Sequence, residues 1–215
     1  NEVNNIKTIQ SSIIPVFSEV RGYDIDFSYL PASDLSGDFF DGFYLDEHNY
    51  QLVICDVSGH GITSSYLGNQ IRTMFRMESR PGGGPAETVD RVNSIFAREM
   101  GSLGYFCTAI LCRIDTLSGV IRICSAGHPE ALLLTGEKEI VKISNTGPLV
   151  GVNMHAVYRE HEIILKPDER MLLYTDGITE ACMPGKDMFG EKRLFAAFRE
   201  FSSGTPRQTL EAIVS

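Results

Sequence analysis

Several features that mark other classes of protein are missing from this 215-residue sequence. It has no run of Lys or Arg, and its formal net charge is −9, which argues against a nucleic-acid or anionic-membrane surface. No apolar stretch approaches the ~18 residues of a membrane-spanning helix, and no signal peptide is visible. No repeat or low-complexity segment appears. We therefore expect a cytoplasmic globular chain that inserts no segment into a membrane.

Paired cysteines are also missing. The five cysteines form no C-x-x-C pair, and their number is odd, so neither a zinc site nor a disulfide framework is expected. Most of them lie in apolar runs, which predicts small buried side chains in a reducing compartment. The five are Cys55, Cys107, Cys112, Cys124 and Cys182.

The chain begins with a segment that reads as a helical arm, residues 1–16. Ile6, Ile9 and Ile13 recur at helical spacing, and Pro15 limits the end of the helix. Because the apolar stripe is narrow, two alternatives stay open: a helix packed on its own domain, or the end of a coiled-coil linker from an upstream module. The first residue is Asn rather than Met, which predicts a piece of a longer protein. Residues 17–215 are predicted to form one domain.

The order of elements predicts an α+β fold. Residues 23–29 alternate apolar and polar side chains as a half-buried strand does. Two strands, two helices, a series of short strands and further helices follow, and this order favours antiparallel sheets with helices packed outside them. The predicted strands are 39–45, 50–57, 105–115, 120–125, 131–134, 139–143, 157–165 and 170–175. The predicted helices are 62–78, 86–100, 191–201 and one from about 206.

Three aspartates lie where an apolar strand meets a glycine-rich turn: Asp38, Asp56 and Asp176. A carboxylate buried there is unfavourable unless its charge is compensated, and no Lys or Arg lies within the three motifs. Hard Mg²⁺ or Mn²⁺ would compensate it through oxygen ligands. Any one of them alone is read more simply as a turn residue or helix cap, but three together indicate a metal site. Asp41 is a weaker candidate, either a ligand through water or the start of a turn.

These motifs resemble the PPM family of metal-dependent protein phosphatases (the type 2C fold), in its bacterial SpoIIE/RsbU branch. Their order and spacing both match the family, from about Asn4 to the last residue. The resemblance implies two packed antiparallel sheets flanked by helices on both sides, and hydrolysis of phosphoserine or phosphothreonine in a protein. The matching segments are Gly37–Asp41, Asp56–Gly61, Ala126–Pro129 and Tyr174–Glu180.

The resemblance also implies the roles of individual residues. Asp38, Asp56 and Asp176 match metal ligands that act through two bound Mn²⁺ or Mg²⁺ ions and a metal-activated water, with Asp56 as the bridge. The backbone carbonyl of Val57 matches a main-chain ligand.

Two departures from the family are visible. The family ends with an Asp-Asp/Asn motif on a last strand, and the acidic residue of that motif also binds metal. This chain stops at Ser215, so we expect the domain formed by residues 17–215 to lack that strand and that ligand. Eukaryotic relatives place a histidine where Ser58 stands, so His60 is not assigned as a general acid and is read as a buttress of the loop. His128 is interpreted as a structural turn residue.

The branch implies a substrate and partners. SpoIIE/RsbU-type phosphatases act on phosphorylated anti-anti-sigma (STAS) proteins, under the control of an upstream sensor domain or activator. Dimerisation through the helical arm stays open. The alternative function is a non-catalytic pseudophosphatase that binds a phosphoprotein partner. A nucleotidyl cyclase is disfavoured because its βαββαβ order is absent and Gly82–Gly84 lies between two predicted helices.

Overall fold

Within the described part of the chain, short apolar runs separated by turn residues form eight strands. The computed structural model describes residues 2–12, 14–15, 19–31, 35–182 and 187–215. The strands are β1 (Phe39–Tyr44), β2 (Asn49–Val57), β3 (Cys107–Asp115), β4 (Val120–Ala126), β5 (Ala131–Leu134), β6 (Ile140–Ile143), β7 (His161–Ile164) and β8 (Arg170–Leu172). They pair antiparallel in two sheets, one of order β1-β2-β3-β4-β7 and one of order β6-β5-β8.

Six helices accompany the sheets in the described residues. They are α1 (Glu2–Ser12), α2 (Ile62–Glu78), α3 (Pro85–Met100), α4 (Asp176–Glu180), α5 (Gly190–Glu200) and α6 (Pro206–Val214). Pro85 and Pro206 each occupy the first turn of a helix, where a missing N–H costs nothing. At α6, Thr205 and Gln208 form a reciprocal capping box.

The apolar faces of these elements stack into four layers. Leu67, Ile71 and Phe75 of α2, together with α3, pack on one face of the five-stranded sheet. The other face of that sheet meets the three-stranded sheet in a second core that includes Ile110 and Ala131. Helices α5 and α6 cover the outer face of the three-stranded sheet. The predicted α+β sandwich of two antiparallel sheets with helices on both sides is therefore confirmed, while the missing last strand stays an expectation.

The predicted strand at residues 23–29 is wrong. This segment is extended, but the structure assigns it no strand, only an isolated bridge between Val20 and Tyr23. Its alternating side chains pack against other side chains instead. Phe27 and Tyr29 lie against the Phe40 ring, with ring centroids 4.7 and 5.8 Å apart. The alternation of apolar and polar residues indicates which side chains are buried, and in this segment it does not indicate that the backbone pairs with a strand.

Several boundaries differ from the predictions, most of all in β7 and β8. Strand β7 covers only His161–Ile164 of the predicted 157–165, and β8 ends at Leu172 rather than at residue 175. The residues after β8 lead directly into α4, a five-residue helix that the sequence pattern did not indicate.

The predicted N-terminal helix is observed as α1, Glu2–Ser12, while Ile13 and Val16 lie outside the described residues. The side chain of Gln10 donates to the Ser36 carbonyl at 2.7 Å and accepts from the Ser36 N–H at 3.4 Å. This contact joins the arm to the loop before β1. The division of the chain at residue 16 stays a prediction. None of the helices in the described ranges has the length and apolarity to cross a bilayer.

Candidate metal centre

Two of the predicted ligands face each other at the end of a strand pair. Phe39 of β1 pairs with Cys55 of β2, so the next pair in that antiparallel register is Asp38 and Asp56. Burial raises the pKa of Asp38 and, together with the charge of Asp38, raises the pKa of Asp56 to about 8. A hydrogen bond between the two carboxyl groups lowers the Asp38 pKa and raises that of Asp56. Without a cation, the facing pair of carboxyl groups therefore favours holding a proton between them.

The third predicted ligand follows the last strand of the other sheet. Asp176 is the exposed first residue of α4, and its charge raises the pKa of both Asp38 and Asp56. Thr175, one residue earlier, donates from Oγ1 to Asp38 Oδ2 at 3.0 Å. Glu180, at the end of α4, adds its charge to Asp56. The structure thus brings the three predicted aspartates to one place and adds Thr175 and Glu180.

Of the residues that the structure describes, neither Lys nor Arg is among the groups that shift the pKa of Asp38 or Asp56; the charges that act on them are those of other carboxylates. The donor set fits a hard divalent cation, because all its atoms are oxygens. In the described part of the chain, however, no three His, Cys, Asp or Glu side chains already converge as a metal cage. Since Asp176 is exposed, it would have to turn inward to complete one.

Glycines allow neighbouring backbone segments around the centre to approach one another closely. A Cβ atom on Gly37 would lie 2.7 Å from the carbonyl oxygen of Val57, the predicted main-chain ligand, and 3.0 Å from Ser64 Cβ. A Cβ on Gly68 of α2 would lie 3.0 Å from the Gly37 carbonyl oxygen. Helix α2 therefore rests on the segment that carries Asp38 with almost no side chain between them. The sequence showed Gly37 in a motif, but gave no sign of the role of Gly68.

A family model described as stage II sporulation protein E (SpoIIE) matches residues 46–215, about four-fifths of the chain. The chain belongs to the SpoIIE family. This is a family of PP2C-like, metal-dependent protein phosphatases, and the resemblance seen in the sequence is confirmed.

The SpoIIE-family chain is similar to two curated bacterial phosphatases. It is 32% identical to phosphoserine phosphatase RsbP of Bacillus subtilis, over 73% of this chain and 40% of RsbP. It is 24% identical to phosphoserine phosphatase RsbU of the same organism, over 84% of this chain and 54% of RsbU. The chain thus spans about half or less of the length of these relatives.

Solved structures agree on the fold. The SiaA-PP2C domain of Pseudomonas aeruginosa superposes with a TM-score of 0.84 at 19% identity, over 99% of this chain and 86% of that domain. The PP2C domain of SpoIIE from Bacillus subtilis, solved with part of its regulatory domain, superposes at 0.69 and 18% identity, over 84% of this chain and 52% of that chain.

Asp41 makes contacts that neither alternative from the sequence anticipated. It lies inside β1 with 1% of its surface exposed, so the turn interpretation is wrong. Arg76 of α2 binds both of its carboxylate oxygens, through Nε at 2.5 Å and Nη2 at 2.7 Å. Arg72 Nε lies 3.0 Å from Oδ2. Asp41 thus ties α2 to the strand that follows Asp38. The sequence carries no local signal for this pair, because the arginines follow 31 and 35 positions later.

The two histidines of the SpoIIE motifs have opposite environments. His60 is exposed in the loop before α2. His128 is buried, with 1% of its surface exposed, and burial lowers its pKa to about 4. The His128 imidazole is therefore neutral at physiological pH.

A cavity of about 2250 Å³ opens at the carboxylates. Its lining includes Asp38, Asp56 and Asp176, residues 21–31, and β8. The centre is therefore reachable from solvent along an open depression that could admit a segment of another protein.

Proposed function

We propose that this chain is a metal-dependent serine/threonine protein phosphatase. It hydrolyses phosphoserine or phosphothreonine on a regulatory protein, with two Mn²⁺ or Mg²⁺ ions as cofactors. The observation that carries the proposal is the pair of facing carboxyl groups, Asp38 and Asp56. They are half-buried and share a hydrogen bond. Burial raises the pKa of both, and the charge of Asp176 raises both further.

The protein's own residues would hold the ions and orient the centre. Asp38, Asp56, Asp176 and the Val57 carbonyl oxygen supply the oxygen ligands, and Thr175 fixes Asp38 by its hydrogen bond to Oδ2. When bound, divalent ions would supply Lewis-acid activation of water and neutralise phosphoryl charge. None of the cysteines serves as a nucleophile in this proposal. Four of them are buried, and burial raises the pKa of the Cys55 thiol well above its usual value.

We propose a phosphorylated STAS-type protein as the substrate. The support is family membership and similarity to RsbP and RsbU, which are named as phosphoserine phosphatases. Because the chain spans only 40% of RsbP and 54% of RsbU, we further propose an upstream sensor domain or activator, reached through α1, with homodimerisation as one route of control. The four buried free cysteines fit the reducing conditions of the cytoplasm, where we place the protein.

The test is phosphate release from a phosphoserine STAS protein, titrated with Mn²⁺ and reversed by a chelator. Asp56→Asn should reduce turnover by at least ~100-fold, since changes even outside a metal's ligand shell commonly cost 10- to 100-fold. The matched control is Asp90→Asn, because Asp90 is exposed on α3 and does not line the cavity at the centre. Full metal-dependent turnover in Asp56→Asn would reject the site.

A second candidate function is a pseudophosphatase that binds a phosphoprotein without hydrolysing it. One observation favours it: no three candidate ligands within the described ranges converge as a formed cage. This candidate predicts tight binding of the phosphorylated STAS protein, weaker binding of its unphosphorylated form, and no phosphate release at any Mn²⁺ concentration. Measuring both binding and release on the same preparation distinguishes the two functions.

A further inference from the structure

His128 lies where the chain passes from one sheet to the other. It sits in the turn between β4, which belongs to the five-stranded sheet, and β5, which belongs to the three-stranded sheet. Its backbone is fixed there: Asn145 Nδ2 donates to the His128 carbonyl at 2.9 Å, and Ser125 Oγ donates to Asn145 Oδ1 at 2.7 Å. The position of the imidazole ring is thus set from both sheets.

On one side, the His128 ring contacts a residue that is the strand neighbour of Asp56. His128 Nδ1 is 2.7 Å from Thr108 Oγ1 on β3. Thr108 is the residue directly opposite Asp56 in the β2–β3 register. Directly opposed residues of an antiparallel pair project their side chains to the same face, with Cβ atoms ~5 Å apart. Thr108 therefore stands between the imidazole and the carboxylate.

On its other side, the ring lies near the segment that precedes Asp176 and holds Asp38. The backbone of Tyr174 lies close enough to the ring to raise its pKa, against the larger effect of burial. His128 Nε2 is buried and has no hydrogen-bond partner among the described residues. The residue after Tyr174 is Thr175, which holds Asp38 at 3.0 Å and precedes Asp176. The antiparallel register of β5 and β8, with Leu132 opposite Leu172, also brings the residues before β5 alongside those after β8. The imidazole therefore lies between Thr108 and the segment that carries the third aspartate.

We propose that His128 and Thr108 form a positioning pair that sets the distance between the two halves of the metal centre. The neutral ring, oriented by the Thr108 hydroxyl, supports the Tyr174–Asp176 segment and so places Asp176 and Asp38 relative to Asp56. This inference rests on the proposed function. Neither residue contacts the substrate or the ions.

The test compares Thr108→Val with Thr108→Ser. Valine keeps the shape of threonine and removes the hydroxyl, whereas serine keeps the hydroxyl and removes a methyl group. Mn²⁺ affinity is measured by calorimetry, together with the melting temperature of the chelated protein. We expect Thr108→Val to weaken Mn²⁺ binding about tenfold, as loss of an outer-shell partner commonly does, and Thr108→Ser to stay within about twofold.

Two further variants locate the effect on the ring. His128→Asn keeps a polar atom near Nδ1 but withdraws the atoms that approach Tyr174, so it should weaken Mn²⁺ binding about as much as Thr108→Val. The matched control is His161→Asn in β7, whose imidazole lies 3.4 Å from Ser144 Oγ and should leave the affinity unchanged.

The outcomes separate this inference from the proposed function. Wild-type protein that binds no Mn²⁺ would overturn both. Wild-type protein that binds Mn²⁺, with Thr108→Val binding it equally well, would overturn the positioning pair alone. The positioning pair would also be overturned if Thr108→Val and Thr108→Ser both lost Mn²⁺ affinity in proportion to the drop in their melting temperatures, because a purely structural role gives that result.

Discussion

Replacing Asp41 by Asn tests whether the buried ion pair between β1 and α2 holds the helix in place. The substitution keeps an oxygen that can accept the Gly42 N–H, now bound by Oδ1 at 2.9 Å, and removes only the charge. Two guanidinium groups, those of Arg72 and Arg76, then lose their counter-ion. The side-chain NH₂ group of the new asparagine also faces the N–H donors of the two guanidinium groups, so donors on both sides are left without an acceptor.

The expected cost follows from the exposure of the three side chains. Removing one partner of a fully buried ion pair costs about 3–5 kcal/mol of unfolding free energy. Asp41 is fully buried, but the side chain of Arg76 is 41% exposed and that of Arg72 is 16% exposed, so water can take over part of the solvation of Arg76. We therefore expect a loss of about 2–3 kcal/mol, below the range for a fully buried pair. For a domain of this size that corresponds to a melting temperature lower by roughly 5–10 °C.

The assay is urea and thermal unfolding of the chelated protein, followed by circular dichroism. Asp26→Asn is the matched control, because Asp26 also pairs with an arginine, Arg207 at 2.6 Å, but on the surface. Such exposed pairs contribute about 0–1 kcal/mol. If Asp41→Asn cost no more than Asp26→Asn, the view of the Asp41 pair as a structural tie between β1 and α2 would be refuted.

Three further predictions concern the centre. Gly37→Ala should cost about 1–3 kcal/mol in chemical unfolding and weaken Mn²⁺ binding, because its Cβ would press on the Val57 carbonyl at 2.7 Å, whereas Gly136→Ala meets open space and should do neither. Between pH 6.5 and about 8 the chelated protein should lose stability as pH rises, since the raised pKa of Asp56 makes the folded state bind more protons there, and Asp56→Asn should flatten the urea-midpoint profile in this range. Between pH 6.5 and about 4 the lowered pKa of His128 makes the unfolded state bind more protons, so its contribution opposes that of Asp56. In this range the melting temperature of His128→Asn should therefore fall as pH rises, whereas that of Asp56→Asn should rise.

Elements with a strong local pattern were predicted to the residue or nearly so. The bounds of α2, Ile62–Glu78, and of β5, Ala131–Leu134, agree with the sequence interpretation. Helix α2 carries apolar residues at helical spacing, and β5 is a short apolar run; each lies near glycine or proline breaks. The segment at residues 23–29 failed because a period of two indicates one-sided burial, and an extended coil that packs its rings on Phe40 satisfies it as well as a strand does.

The residues of the centre that belong to a sequence motif could be predicted, whereas the contacts that depend on how the two sheets pack could not. Asp38, Asp56 and Asp176 were found because each follows or precedes an apolar run at a glycine turn. The hydrogen bonds Thr175 to Asp38 and Thr108 to His128 depend on how the two sheets dock, and no local pattern encodes that. The same holds for Asp41, whose two arginines are placed only once α2 packs on β1.

The bond from Thr175 to Asp38 joins residues 137 positions apart, and this separation has a consequence for folding. A contact that closes so long a loop carries a large entropic cost, so it is expected to form late, after each sheet has assembled. A cation held between these segments would then stabilise the native state but not the folding transition state. Its binding should slow unfolding and leave the folding rate nearly unchanged. Cellular metal supply would in that case set the lifetime of the folded protein rather than the speed at which new chains fold.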